Sequence, residues 1–409
     1  MNYPLILDTA LEIGYQLAMS GAETYRIEES IIRIFAAYGA KAEVFAIPNC
    51  MTATVTTPDG ESITRLRRIG FHGNDMDTLE RYSNLSRKIC NEKPDPETAA
   101  KWLTETSASR RRYRLPMLLV GNMIGAAGFA FFFGGTAADI AITSVCGLVV
   151  CLLTYLTGKL HINHFFSTIV TSFFMAFAAY LFGHLGANAD VAIIGTLMIL
   201  VPGLIFTNAI RDIIFGDTNS GINRIVQVVM IAGAIGLGTG FARSMSFALL
   251  GPQTAILPVS YDPITQCIAA AIGCLGFCIL FNIHGKGILI CTLGGTLTWA
   301  VYLAVNNLLN DSLAGYFAAT LFAALFSEVM ARIRRFPAIT YLLVAIFPLI
   351  PGAGIYYTTS YLADGNMEGF MSKGGETISI AGILAIGILM VSTIVRGTTV
   401  WRQLHRKKK

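Results

Sequence analysis

Charge is what this chain has least of. Asp, Glu, Lys and Arg make up 13% of 409 residues, against 54% hydrophobic. Soluble globular chains carry about 25% charge, so most of this one is expected to lie in lipid. Acid is scarcer still beyond residue 110, where only ten of the 25 acidic residues fall. That gradient predicts a soluble domain over residues 1–109 followed by a membrane domain. A Gly-rich phosphate loop is missing too, which leaves direct ATP driving unsupported. No ring of charges or carbonyl-rich filter repeat stands out, and this argues against a channel. The first twenty residues carry Asp8 and Glu12 and no basic start before an apolar core, so no signal peptide is expected. No disulfide framework is suggested: six of the eight cysteines sit in apolar stretches. Cys274 and Cys278 share i,i+4 spacing without a His or carboxylate beside them, and read as small packing residues rather than metal ligands. No metal, cofactor or nucleic-acid partner is expected.

What the chain does have is a segment that occurs twice. Leu200-Val201-Pro202-Gly203 returns as Leu349-Ile350-Pro351-Gly352, 149 residues later. The same register pairs Gly216 with Gly365 and Ile231-Ala232-Gly233 with Ile380-Ala381-Gly382. With one residue of slippage, Gly125, Gly128, Phe129, Phe133 and Gly147 align with Gly273, Gly276, Phe277, Phe281 and Gly295. Two copies of one membrane unit are implied.

Apolar runs of about 20 residues predict ten spanning helices, near 115–135, 138–157, 165–184, 191–210, 224–247, 264–282, 287–308, 313–332, 338–360 and 377–396. The fold class expected is an α-helical polytopic membrane protein with two inverted five-helix repeats, over 110–250 and 260–400. A small N-terminal cytoplasmic α+β domain precedes them, and a basic tail, 401–409, follows. Five spans per copy is an odd number, so the second copy enters from the opposite side. Basic residues test this. If Arg110 to Arg114 are cytoplasmic, then Lys159, Arg211, Arg224, Lys286, Arg332, Arg334, Arg335 and the tail are cytoplasmic as well. Only Arg243 and Lys373 fall outside, as the positive-inside rule requires, and both termini are then cytoplasmic.

The Pro-Gly pairs lie near the centres of the fourth and ninth spans. One such pair could be a tolerated kink. Two at matching positions of inverted repeats point to broken helices around a midplane substrate site, where a restarted half-helix presents free N–H groups to a carboxylate. Pro202, Gly203, Pro351 and Gly352 are therefore candidate binding positions. Asn208 and Gln227 join them as polar groups costly to bury, and Thr168 and Thr171 as members of a polar helix face with Ser172. Hydrogen bonding to the backbone or to neighbouring helices is the competing reading for the threonines. No buried Asp/Glu/His relay stands out, so the energy source is unread; a proton is the candidate coupling ion, and a homo-oligomer is open.

In the N-terminal part, Pro4 to Met19 and Ala22 to Tyr38 have helical periodicity. Ser20-Gly21-Ala22-Glu23 reads as a helix stop followed by a capping box. Lys41 to Ile47, Met51 to Thr57 and Glu61 to Ile69 read as strands, with Pro58-Asp59-Gly60 a turn. Helices near 74–91 and 95–107 complete an order ααβββαα. Glu23, Arg26, Glu28 and Glu29 invite a catalytic reading, against which stands a capped, solvated helix with local ion pairs. His72, Asp75 and Asp77 could bind a metal, but Asn74-Asp75 also suits a helix cap.

Three stretches taken together resemble the threonine/serine exporter family of bacteria and fungi. They are Ser20-Gly21-Ala22-Glu23-Thr24-Tyr25-Arg26-Ile27-Glu28, then Val201-Pro202-Gly203 with Asn208, then Gly216-Asp217-Thr218-Asn219-Ser220-Gly221-Ile222-Asn223-Arg224. The resemblance covers essentially the whole chain, with 1–250 similar to the first module and 264–400 to the second. It implies a multi-pass protein of the bacterial inner membrane that exports threonine and serine, or a dicarboxylate such as succinate, as the split form does. It also marks Asp212, Asp217, Ser220, Gly221 and Arg224 as a functional cytoplasmic loop, and Glu23, Arg26 and Glu28 as an N-domain motif. A structural turn tied by an Asp–Arg pair is the alternative for the loop. The runner-up from another class is a membrane-tethered hydrolase, although no nucleophile–base–acid arrangement stands out.

Overall fold

The computed structural model describes residues 1–70, 73–252 and 257–406. The chain divides into two compact units, Met1–Tyr113 with Phe281–His284, and Arg114–Leu280 with Gly285–Lys409.

The first unit runs α1 (Tyr3–Met19), α2 (Thr24–Ala37), β1 (Lys41–Ile47), β2 (Cys50–Thr56), β3 (Ser62–Arg68), α3 (Met76–Glu92) and α4 (Pro96–Ala108). The strands form one antiparallel sheet in the order β1-β2-β3. Alternation decides which face is buried: Met51, Ala53 and Val55 point into the core, while Phe45 and Leu66 flank Thr52 on the open face. Gly60, at φ +85°, closes the β2–β3 turn with its N–H on the Thr57 carbonyl. Gly14 lets α1 approach Ile31 of α2, where a Cβ would come within 2.8 Å of the isoleucine methyl. The capping box does not form. The Ser20 hydroxyl turns back to the Gln16 carbonyl and ends α1, and Glu23 occupies the N-cap of α2 without a side-chain cap.

Residues 281–284 belong to this unit although they join two later helices. Asn282, at φ +56°, donates to Asp75 Oδ1 at 2.8 Å and to the Arg111 carbonyl at 2.7 Å. The Tyr113 hydroxyl donates to the Ile283 carbonyl, and the Tyr113 and His284 rings lie 4.2 Å apart.

The second unit is all helical: α5 (Leu115–Phe132), α6 (Ala137–Lys159), α7 (His164–Gly183), α8 (Ala189–Leu197), α9 (Gly203–Phe215), α10 (Thr218–Leu250), α11 (Pro263–Leu280), α12 (Lys286–Leu309), α13 (Ser312–Arg334), α14 (Ala338–Ala345), a 3₁₀ turn (Phe347–Leu349), α15 (Gly352–Ala363) and α16 (Met367–Arg406). Eight helices of the described residues are long and apolar enough to cross a membrane, or nine if α14 and the bent segment after it count as one span. The expected count of ten is not reached on length and composition. The fourth expected span, 191–210, is divided into α8 and α9, each too short to cross the roughly 30 Å hydrocarbon layer alone.

Packing in the two halves follows one order. Helix α5 packs on α6 as α11 packs on α12; α7 packs on α10 as α13 packs on α16. Between the halves, α5 lies along α11 at bare backbone. A Cβ on Gly128 would strike the backbone of Gly273, and one on Gly276 the backbone of Gly125. Small residues permit this approach, a common device of membrane helices. Cys274 and Cys278 serve this packing too, with their thiols directed at the Val344 and Ile288 carbonyls.

Candidate functional site

Proline chemistry breaks both central helices. Neither Pro202 nor Pro351 has an N–H to donate, so the ladder stops before it and restarts after it. The two residues take nearly the same conformation, φ −81° and ψ 36° at Pro202 and φ −77° and ψ 52° at Pro351. Each carbonyl accepts the first bond of the new helix, from Phe206 and Ile355. The breaks pack on one another. A Cβ on Gly203 would meet the Ile350 side chain, and one on Gly352 would meet Met198 Sδ at 2.7 Å and Val201 at 3.6 Å. Pro202, Gly203, Pro351 and Gly352 are all buried.

Two adjoining cavities of about 510 and 450 Å³ open between α7, the start of α8, the second half of α10, and α15. Both are lined by Tyr180, Arg243, Phe247, Tyr356, Ser360 and Asp364. Asn188 and Asp190 from the start of α8 line the smaller one. Arg243 is the one cation among these lining residues and grips Asp364, with Nη1 donating to Oδ1 at 2.9 Å and Oδ2 at 3.0 Å. Their side chains are 58% and 48% exposed. Pairs this open contribute roughly 0–1 kcal/mol, so an arriving carboxylate can replace Asp364 at little cost. The Asp190 carboxylate receives no hydrogen bond among the described residues, whereas Asn188 beside it caps α8 through Val191 and donates its N–H to Asp139. Tyr180 and Tyr356 are buried in the same apolar cluster and form part of the wall.

None of the eight binding positions expected from the sequence lines these two cavities. Thr168 returns its hydroxyl to the His164 carbonyl, and Ser172 does the same to Thr168. Thr171 is 1% exposed, and its hydroxyl has no partner among the described residues. Asn208 and Gln227 are half-buried. One signal for the cavity was present in the sequence: Arg243 is a cation within an apolar stretch, and such residues mark functional pathways by default. Tyr180, Asp190, Tyr356 and Asp364 carried no comparable signal.

The α9–α10 loop is built around a buried ion pair. Gly216 turns the chain at φ +94°, and Arg224 Nε then reaches Asp212 Oδ2 at 2.9 Å. Both side chains are about nine-tenths buried. Gly221 faces the Ala209 carbonyl with no room for a Cβ, Ser220 is buried, and Asp217 is exposed at the N-cap of α10 without a side-chain cap bond.

In the first unit, Glu28 accepts the Ala46 N–H at 2.8 Å and Arg26 reaches the Ser83 hydroxyl at 3.4 Å, so this motif ties α2 to its neighbours. Asp75 caps α3 and Asp77 pairs with Arg81; His72 lies outside the described residues. Burial pushes the Tyr38 phenol up to about 12, with its hydroxyl donating to the Pro94 carbonyl.

A multi-pass helical protein with a polar cavity beside a broken helix belongs among membrane transporters, and sequence comparison narrows the class. Residues 8–246 match the family model ThrE, described as a threonine/serine exporter, and residues 266–394 match a second model, Threonine/Serine exporter, ThrE. The chain belongs to the threonine/serine exporter family. It is 23% identical to the "Threonine/serine exporter" of Corynebacterium glutamicum, over 98% of this chain and 83% of the relative. It is also 23% identical to the "Probable succinate transporter subunit YjjP" of Klebsiella aerogenes, over 56% of this chain and 89% of that protein. No solved structure matches.

Proposed function

We propose that this protein is a secondary transporter that exports small carboxylated metabolites across the bacterial inner membrane, threonine and serine first. Two inverted five-helix repeats, over 110–250 and 260–400, rock against each other in this reading, with both termini cytoplasmic. The observation that carries it is the cavity lined by the start of α8 and by α15, two segments of the broken helices, where one guanidinium, held by a weak ion pair, faces space enough for a small ligand. Reciprocal contacts between the halves support the repeats: Gly128 meets Gly273 as Gly276 meets Gly125, and Gly203 meets Ile350 as Gly352 meets Val201. Pro202, Pro351 and their glycines set the breaks, and Asn208, Gln227, Thr168 and Thr171 remain candidates for the path that substrate takes. The relation to YjjP supports a second reading, a dicarboxylate as cargo. Eight or nine spans would be excessive for an anchor, which places a membrane-tethered hydrolase last.

Efflux tests this. Liposomes holding the purified protein are loaded with labelled threonine, serine or succinate and diluted. Faster loss of threonine and serine than from protein-free liposomes is expected; loss of succinate alone moves the cargo to dicarboxylates, and no loss of any of them contradicts the reading.

A further inference from the structure

Cavity walls select ligands by the charges they leave unmatched. The lining described above holds one cation, Arg243, and two carboxylates, Asp190 and Asp364. Asp364 already has its partner. Asp190, in the first turn of α8, is exposed to the cavity and receives no hydrogen bond among the described residues; Arg243 acts on it through its charge alone. A ligand carrying both a carboxylate and an ammonium group would match both ends of this arrangement. A dicarboxylate would bring its second negative charge to a wall that is already acidic.

We propose that the cavity is a substrate subsite for a zwitterionic amino acid, in which Asp190 accepts the ammonium group and Arg243 leaves Asp364 for the carboxylate. The inference rests on the carrier reading and deepens it, by assigning the residues that tell an amino acid from a dicarboxylate. The exchange at Arg243 has a structural consequence. Arg243 lies on α10, in the first half of the unit, and Asp364 caps the end of α15, in the second. A substrate carboxylate that takes over the guanidinium therefore removes an ion pair between the halves at the moment of binding. Ser246 and Ser360 line the same space and can meet a side-chain hydroxyl.

The test is competition for exchange of labelled threonine in liposomes. The competitors are serine, 3-hydroxypropionate (serine without its amino group), ethanolamine (serine without its carboxylate) and succinate. With wild-type protein, serine is expected to compete at least ten-fold more strongly than any of the other three. Asp190→Asn is expected to weaken serine at least ten-fold and leave 3-hydroxypropionate unchanged, while Asp190→Glu retains the preference for serine. Unaltered competition by serine in Asp190→Asn, or parallel loss of serine and 3-hydroxypropionate, would overturn the assignment. Should Asp190→Asn fail to fold, the wild-type series still decides: 3-hydroxypropionate or succinate competing as strongly as serine overturns it. Wild-type protein that exchanges neither threonine nor succinate defeats the carrier reading itself, an outcome distinct from wild-type exchange whose preference for serine Asp190→Asn leaves unaltered.

Discussion

Phe129 and Phe277, which the internal repeat aligns with each other, meet edge to face with ring centroids 5.5 Å apart. Equivalent positions of two copies touch where an approximate two-fold axis passes, because the operation that carries one residue onto the other leaves their midpoint fixed. The glycines beside them obey the same reciprocity: Gly128 lies against Gly273 as their equivalents Gly276 and Gly125 lie against each other. The α5–α11 contact is where the two halves meet about this axis.

Replacing Gly273 with Leu places a side chain where the Phe129 ring already stands. Overpacking of this kind costs about 1–3 kcal/mol. A lower unfolding temperature in detergent is expected. Gly233→Ala is the control, since its added Cβ meets nothing within 4 Å and should leave that temperature nearly unchanged.

The breaks are the second point of attack. Substituting Ala for both Pro202 and Pro351 restores a donor and removes a ring clash at each break, so α8 can run on into α9, while Pro348 keeps its interruption before α15. Transport is expected to disappear while expression and membrane insertion survive. Normal efflux from this double variant would show that the breaks are dispensable.

At the α9–α10 loop, truncating Arg224 to Ala strands the Asp212 carboxylate in a buried site. Breaking such a pair costs about 3–5 kcal/mol. The double variant with Asp212→Ala should recover part of that loss, and a double-mutant cycle on unfolding temperatures reads the coupling. Additive effects would mean that the pair contributes no interaction of its own.

Acid should loosen the 281–284 segment. Burial is the main force lowering the His284 pKa; Arg111 and Arg81 lower it further, against Asp77 and Asp75, which raise it. The folded value thus lies below the ordinary one of about 6.5, and the unfolded chain takes up the proton first. Stability is fully present above about pH 6.5 and falls as pH drops through the lowered folded pKa. Thermal unfolding between pH 7.5 and 5 should show this slope, and His284→Asn should flatten it.

Much of the architecture was legible because it follows from local chemistry. Period-two patterning and Pro58-Asp59-Gly60 place the strands within a residue or two of where they form, and Pro202 and Pro351 announce the breaks. Local patterns misled where tertiary contacts chose between equivalents. The Ser20 hydroxyl prefers its own helix to the next. The cavity was hidden for a deeper reason. Tyr180, Asp190, Arg243 and Asp364 come from four helices and converge only when both halves pack.

The central claim is that one cavity serves both sides of the membrane in turn, and counterflow tests it most directly. Liposomes holding the purified protein and a high concentration of unlabelled threonine are diluted into a trace of labelled threonine. A carrier lets label accumulate transiently above its outside concentration, driven by the outward threonine gradient, and this overshoot is predicted here, with serine inside serving as well. Label that only equilibrates, without overshoot, would indicate a passive pore and contradict alternating access.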